Sequence, residues 1–418
     1  MGSLFPDPAP PRRPLHHSIP PLILGTATFN TQYVPNPFDL PALSIVSRAL
    51  ELGVCAFDTS PYYGPSEIIL GDALAHPSVT SKHPRSSYFL VTKAGRIAGD
   101  EFDYSPAWIR YSVLRSLERL HTPYLDLIYM HDVEFVSPSE VLDAVRELRR
   151  LRAQGLIRYV GISGYPVEKL CSLAEMILRE TGEPLDAVLS YGHYTIQNTT
   201  LGTSATARFE RAGVDVVLNA SMLGMGLLTT RGADAGPMAT WHPSPERLRQ
   251  ACQKLVPIAA SAGEKLEVVA IRWALDNWAR VGASKGGGTP RLPAGQRVGV
   301  SVMGVSSVDE LEETCRVFNS VLEGLEPEAS DVDQTRRRQW SLDRRQKIQG
   351  LVKEMWAVLG EWKDYSWDSP DPGFVNTRNP TEVGVTPDDG ILAKYATKAH
   401  VKVQVEELPS EDLSVLAV

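Results

Sequence analysis

Four side chains have types and spacing that could move a proton and a hydride. Asp58 ends the run Cys55-Ala-Phe-Asp58, Lys93 ends Leu90-Val-Thr-Lys93, and His131 ends Leu127-Ile-Tyr-Met-His131. Tyr63 stands just past Asp58, in Asp58-Thr-Ser-Pro-Tyr-Tyr-Gly64. A phenol ionises near pH ~10, and a neighbouring ammonium stabilises the phenolate and draws that value down. Lys93 would supply the ammonium, Asp58 would hold it by ion pairing, and His131 would donate a hydrogen bond to a carbonyl oxygen. Tyr63 would then be the general acid in carbonyl reduction and the general base in alcohol oxidation. Tyr62 is the alternative phenol. Each residue alone has a plainer role: an Asp at a strand end often caps a helix, a Lys is usually solvated and a His usually structural. Three successive strand ends carrying such residues together point to a site.

The elements that must position them are short apolar runs alternating with amphipathic stretches. Strands are predicted at 22–25, 54–58, 88–92, 126–131, 157–163, 187–191, 214–220 and 298–304. They read as continuous apolar runs, the pattern of parallel strands buried on both faces. The best-marked helix is 138–154: Ser137 is its N-cap, Pro138 its first residue, Glu140 completes a capping box, and Gly155 stops it. Eight strands with helices between them imply an α/β fold. The count of eight, and the lack of a G-x-G-x-x-G after the first strand, favour a (β/α)8 (TIM) barrel over an open doubly wound sheet. In such a barrel the C-terminal strand ends converge on the active site.

The organisation predicted is one domain with extra helices and a C-terminal extension. Residues 1–21 read as a loose Pro-rich arm, 22–325 as the barrel, and 284–297 as an exposed Gly/Pro-rich loop insertion. Residues 326–375 read as a helical extension and 376–418 as an extended, poorly ordered tail. The helical pattern is doubled before the last strand, at 246–262 and 264–280. The stripe Ile348, Leu351, Val352, Met355, Trp356 and Leu359 predicts a helix packed on the barrel's outside or across its mouth.

Composition narrows the function classes. The 418 residues carry a net charge of -8, so nucleic acid is not expected as the main partner. The cluster Arg336, Arg337, Arg338, Arg344 and Arg345 reads as a solvated face. Cys55, Cys171, Cys252 and Cys315 are scattered, as expected of reduced thiols in a cytoplasmic protein. No signal peptide, membrane span or lipidation motif is recognisable. The expected partner is a small sugar-like substrate, and the expected state a monomer or weak homo-oligomer.

Phe57-Asp-Thr-Ser-Pro-Tyr-Tyr-Gly-Pro-Ser-Glu67, Val91-Thr-Lys93 and the His131 strand end resemble the catalytic signatures of the aldo-keto reductase superfamily. Gly161-Ile-Ser-Gly164 and Met303-Gly-Val-Ser-Ser307 resemble its cofactor segments. Further segments, His131-Asp-Val-Glu-Phe135 and Leu189-Ser-Tyr-Gly-His-Tyr194 among them, resemble the branch of fungal D-arabinose and plant L-galactose dehydrogenases. The resemblance implies NAD-dependent oxidation of an aldose at C1 to the lactone, a step that feeds ascorbate or erythroascorbate synthesis in that branch. It makes Asp58, Tyr63, Lys93 and His131 the catalytic tetrad. It also places Thr26 near the nicotinamide ribose, Ser163 at the carboxamide, Ser221 and Leu223 along the diphosphate, and Ser306 and Glu313 around the adenosine.

Two positions depart from the family pattern: Gly164 stands where an Asn is common, and Ala220 where a tyrosine often stacks on the nicotinamide. NADP-dependent relatives surround the 2′-phosphate with Lys and Arg; the matching positions here are Gly304 and Glu310, and no basic residue lies in 304–314. That predicts NAD, since a carboxylate repels phosphate but accepts from a ribose hydroxyl. Glu310 also fits a capping role in Ser307-Val-Asp-Glu310. Rival readings are an NADP-dependent reductase of another carbonyl, a regulatory subunit that binds cofactor without turnover, and a metal hydrolase using Asp58, His131, Asp132 and His193. No metal is expected, because Lys93 beside the site disfavours a cation and no metal-binding motif is present.

Overall fold

In the computed structural model, which describes residues 13–328 and 331–396, eight parallel strands close into a barrel. They are β1 (Leu22–Gly25), β2 (Ala56–Asp58), β3 (Phe89–Ala94), β4 (Leu125–His131), β5 (Ile157–Gly164), β6 (Ala187–Tyr191), β7 (Val216–Ala220) and β8 (Val300–Gly304). Each pairs with its sequence neighbour, and β8 pairs with β1. This is the (β/α)8 barrel expected.

Strand alternation decides which side chains reach the site. Ile23, Ala56, Phe89, Val91, Leu127, Tyr129, Tyr159, Leu189, Leu218 and Val302 point inward and fill the barrel. Two residues further along the same inward rows come Asp58, Lys93, His131, Tyr191 and Ala220 at the C-terminal ends, and four past Tyr159 comes Ser163. The register sets Gly25 beside Asp58, His131 beside Ser163, and Tyr191 beside Ala220.

The helix Pro138–Ala153 begins at Ser137 with both bonds of the capping box formed and buries Val141, Val145, Leu148 and Leu151. The stretch 246–262, expected as one helix, is two: Glu246–Gln253 and Val256–Ser261. Pro257 accounts for the break, because its ring cannot follow a continuous helical turn.

Three outlying segments are more ordered than their composition suggests. Leu15 and Ile19 of the supposed loose arm are buried in the barrel's interior cluster, so residues 13–21 form its floor; 1–12 lie outside the described residues. Each such apolar side chain contributes ~1.5–3 kcal/mol when fully buried, enough to dock a Pro-rich stretch. The 284–297 insertion is a small hairpin, with Gly287–Gly288 antiparallel to Arg297–Val298 and Arg291 tied to Glu326 and Asn319. Gly287 is required there, since a Cβ would come within 2.5 Å of the Ile19 carbonyl oxygen. The tail is held as far as it is described. Asn376 bonds both backbone groups of Phe102, Arg378 reaches Glu101 and Asp103, Asp389 accepts from Tyr111, and Tyr395 donates to Glu118. Residues 397–418 lie outside the described residues.

The helix Val332–Leu359 packs on the outside through Ile348, Val352, Met355 and Leu359, against Leu266–Val281 and Val308–Glu323. Buried Arg272 donates to Ser320 and Ser341 and pins it there. Beyond it the chain turns over the mouth, where Trp367 stacks on Tyr165 with ring centroids 4.4 Å apart. All four cysteines are free thiols. No helix among the described residues is long and apolar enough to cross a membrane.

Candidate active site

The ends of β2, β3 and β4 bring the four candidates together. Lys93 Nζ donates to Asp58 Oδ1 at 2.6 Å and to the Thr59 carbonyl at 2.9 Å. The pair is almost sealed from solvent, at 2% and 4% exposure. Tyr63 is half-buried above it, with Lys93 Nζ 4.7 Å from its ring centroid. The His131 ring meets that of Tyr63 edge-on at 5.6 Å and that of Tyr62 at 5.7 Å.

The electrostatics differ from expectation in one respect. Lys93 was expected to draw the Tyr63 phenol down. Instead burial, with Asp58 and Asp132 adding to it and Arg96 opposing, holds the phenol well above its ordinary value. The Lys93 ammonium is already committed to Asp58, so Tyr63 faces a nearly neutral pair. Burial likewise raises Asp58 against the pull of Lys93. Burial is also the largest cause of the His131 shift to about 3; Lys93 and Arg96 add to it and Asp132 opposes. His131 is therefore neutral near pH 7.

Several groups here escaped sequence reasoning. The Ser60 hydroxyl lies 3.0 Å from His131 Nδ1 and accepts the Tyr62 amide proton at 3.1 Å. Nε2 lies 3.5 Å from the Asp132 carboxylate, which can only accept. That neighbour favours the neutral tautomer with its proton on Nε2 and leaves Nδ1 to accept from Ser60. Tyr104 donates to the His131 carbonyl and lies across Gly95, where a Cβ would fall 2.3 Å from its ring. Arg96 pairs with Asp132 and sits 4.0 Å over the Tyr62 ring. The signal for Arg96 was present: it is three residues past Lys93, on the loop leaving the same strand.

The predicted cofactor residues trace an arc on the other side of the mouth, from β5 through β8 to β1. Ser163 points inward at the end of β5, its hydroxyl on the Met130 carbonyl at 3.2 Å. Ser221 and Leu223 are half-buried in turns after β7, where Ser221, Gly224, Met225 and Gly226 all have positive φ. Gly304 is exposed at the tip of β8, and Ser306 is half-buried before the helix Val308–Glu323, whose N-cap is Ser307. Glu313 is exposed on that helix. Thr26 is fully buried, and its hydroxyl donates to the Asp58 carbonyl at 3.0 Å while accepting from Ser66 at 2.7 Å. That hydroxyl braces the Asp58 strand.

Both departures from the family pattern have a local counterpart. The space a side chain at Gly164 would need is filled: a Cβ there would lie 2.3 Å from Glu134 Oε2. Glu134 Oε1 accepts from the Tyr165 amide and Ser369, while Oε2 is buried without a partner. Burial, reinforced by Asp132, pushes this carboxyl up to about 8. Beside Ala220, its register partner Tyr191 presents an aromatic ring on the inward face of β6. Glu310 reaches one residue further than a capping box requires, its carboxylate accepting from the Ser306 amide at 2.7 Å and the Ser306 hydroxyl at 3.0 Å. Among the described residues no cluster of three or more His, Cys, Asp or Glu could hold a metal.

A barrel whose mouth carries a buried Asp–Lys pair, a phenol and a neutral imidazole defines an oxidoreductase class. Residues 21–331 match the Aldo/keto reductase family, and the chain belongs to that family. Similar curated proteins include the D-arabinose 1-dehydrogenase of Saccharomyces cerevisiae, 40% identical over 71% of this chain and 82% of that protein. The L-galactose dehydrogenase of Arabidopsis thaliana is 33% identical over 78% and 87%. The solved glycerol dehydrogenase of Gluconobacter oxydans covers 86% of this chain and 98% of its own with a TM-score of 0.53 at 21% identity, a likeness of fold alone. The chain is therefore an oxidoreductase of the D-arabinose dehydrogenase-like kind, acting with a nicotinamide cofactor.

Proposed function

We propose that this protein oxidises an aldose, of D-arabinose or L-galactose type, at C1 to the lactone with NAD, and that Tyr63 is its proton-transfer residue. The observation that carries this is the packing of Tyr63 between the buried Lys93–Asp58 pair and a neutral His131. The names of the two curated relatives support the substrate class.

In this reading the C1 hydroxyl is held between the Tyr63 phenol and His131 Nε2–H. His131 orients the oxygen and, being neutral, adds no second cation. Tyr63 takes the hydroxyl proton as the C1 hydrogen leaves. A nicotinamide held by the β5–β8 arc would supply the hydride acceptor. Because its surroundings hold Tyr63 protonated, oxidation speeds up as pH rises, and the reverse reduction is favoured at lower pH. Ser163, Ser221, Leu223, Gly304 and Ser306 would hold the cofactor along the β5–β8 arc. The turns after β7 and the helix start at Ser307 suit a dinucleotide, because backbone amides at such places favour phosphate oxygens.

The preference for NAD rests on Glu310. Its carboxylate occupies the Ser306 amide, and no cation lies in 304–314 to meet a 2′-phosphate. The reading is tested with Tyr63→Phe. Turnover of the aldose should fall by at least ~100-fold while NADH binding, followed by fluorescence, stays within a few-fold. A Phe variant that keeps its turnover refutes the assignment of Tyr63.

A further inference from the structure

Directly after His131 the chain enters a conformation that L-residues seldom adopt. Asp132 has φ 57° and ψ 61°, the left-handed region where Asp and Asn are among the few tolerated side chains. The turn folds its carboxylate back on the preceding ring, with Oδ2 3.5 Å from His131 Nε2. Arg96 grips the same Oδ2. No described residue donates to Oδ1, although Asp132 is only 2% exposed. Arg96 gives this carboxylate only Nη1, since its Nε and Nη2 donate to the carbonyls of Ala98 and Gly99. A buried charge in a strained turn, aimed at the nitrogen that would hold the reacting oxygen, is more than a fold requires.

We infer that Asp132 is a specificity residue that accepts a hydrogen bond from the hydroxyl on the carbon next to the reacting one. The site thereby favours sugars bearing that hydroxyl over their 2-deoxy counterparts. This rests on the aldose-oxidising reading above. An oxygen hydrogen-bonded to Nε2 sits ~2.9 Å from it, within the same shell as the carboxylate. An ionised carboxylate is only an acceptor. It repels a carbonyl oxygen or oxyanion and attracts a hydroxyl proton. When C1 of an aldose reacts, the C2 hydroxyl is the donor next in reach. Burial beside Arg96 keeps the carboxylate ionised and fixed, so the bond is charge-assisted and little screened. Burial by itself works against that charge; with His131 neutral, the charge and hydrogen bond of Arg96 are what oppose burial and hold the carboxyl below its ordinary value.

The experiment compares kcat/KM for D-arabinose and 2-deoxy-D-ribose, which is the same pentose without the C2 hydroxyl, in full-length protein with NAD. If L-galactose is the better substrate, its 2-deoxy form replaces the second sugar. Wild type should prefer the hydroxylated sugar by about 10- to 100-fold, the worth of a hydrogen bond to a charged group. Asp132→Ala should shrink the preference to within a few-fold, and Asp132→Asn, which tolerates the same turn, should lie between. A merely structural Asp132 lowers both sugars equally and leaves the ratio unchanged, which overturns the inference. A wild type indifferent to the C2 hydroxyl overturns it as well. A wild type that oxidises no aldose refutes the underlying reading, an outcome visible before any variant is made.

Discussion

Lys93→Met tests the electrostatic foundation of the site. The substitution keeps the unbranched apolar stem of the side chain and removes its terminal charge. Asp58 then loses the donor at 2.6 Å, while its other oxygen already has no partner. Both influences that lower the Asp58 carboxyl come from Lys93; without them burial keeps it protonated. At pH 7 the cost is that of protonating a group whose unfolded pKa is ~3.9, or about 4 kcal/mol. That agrees with the ~3–5 kcal/mol typical of breaking a buried pair. In a protein of this size it lowers the melting temperature by roughly 5 °C. The sign follows from proton counting. Between pH ~4 and the raised folded pKa the native variant holds a proton that the unfolded chain has released. The penalty therefore grows with pH by ~1.4 kcal/mol per unit and fades toward pH 4. Urea unfolding at pH 5, 6 and 7 reads this slope directly. Asp58→Asn/Lys93→Met, which removes both charges, should recover to within ~1–2 kcal/mol of wild type. A penalty that does not change with pH, or a double variant no better than the single one, refutes the reasoning.

Three other outcomes follow from the same geometry. Ser60→Ala should let the His131 proton move to Nδ1 and cut kcat by ~10-fold or more, with Ser60→Thr retaining most of it; nitrogen NMR of the imidazole reports the tautomer independently. Glu134 keeps its proton in the fold up to about pH 8, so its contribution is present at low pH and lost as pH rises from ~4.5 toward 8. Relative to wild type, Glu134→Gln should therefore gain on the order of 1 kcal/mol per pH unit across that window, measured by denaturant unfolding. Glu310→Ala should free the Ser306 amide and raise the kcat/KM ratio of NADP to NAD by roughly 10-fold, the worth of one charge-assisted contact; an unchanged ratio removes Glu310 as the selector.

Much of the barrel was legible because buried parallel strands write themselves as apolar runs. The ends at Asp58, Tyr191, Ala220 and Gly304 fall where those runs stop. The inward positions of Asp58, Lys93 and His131 follow from counting by two along such a strand. The floor and the tail were not legible. Leu15 and Ile19 lie in a Pro-rich stretch whose order comes from the barrel cavity they fill, and Gly287 can pair beside that stretch only as glycine, because the Ile19 carbonyl leaves no room for a Cβ. The tail at 376–396 has little internal structure and is held by bonds to the 100–118 region, which no local pattern announces. Ser60 and Asp132 were in plain view beside predicted site residues. Their roles depend on ring orientation and on one left-handed turn, neither of which is written in residue type. The Tyr63 phenol is raised and not depressed for a related reason: proximity to Lys93 was readable, whereas the prior claim of Asp58 on that charge was not.

The most direct test of the central claim is to mix the purified protein with D-arabinose, and separately L-galactose, supply NAD or NADP, and follow the absorbance of the reduced cofactor. The account predicts turnover of at least one of these sugars with NAD, little with NADP, and a rate that climbs with pH. Tight NADH binding with no oxidation of either sugar under any of these conditions would contradict it.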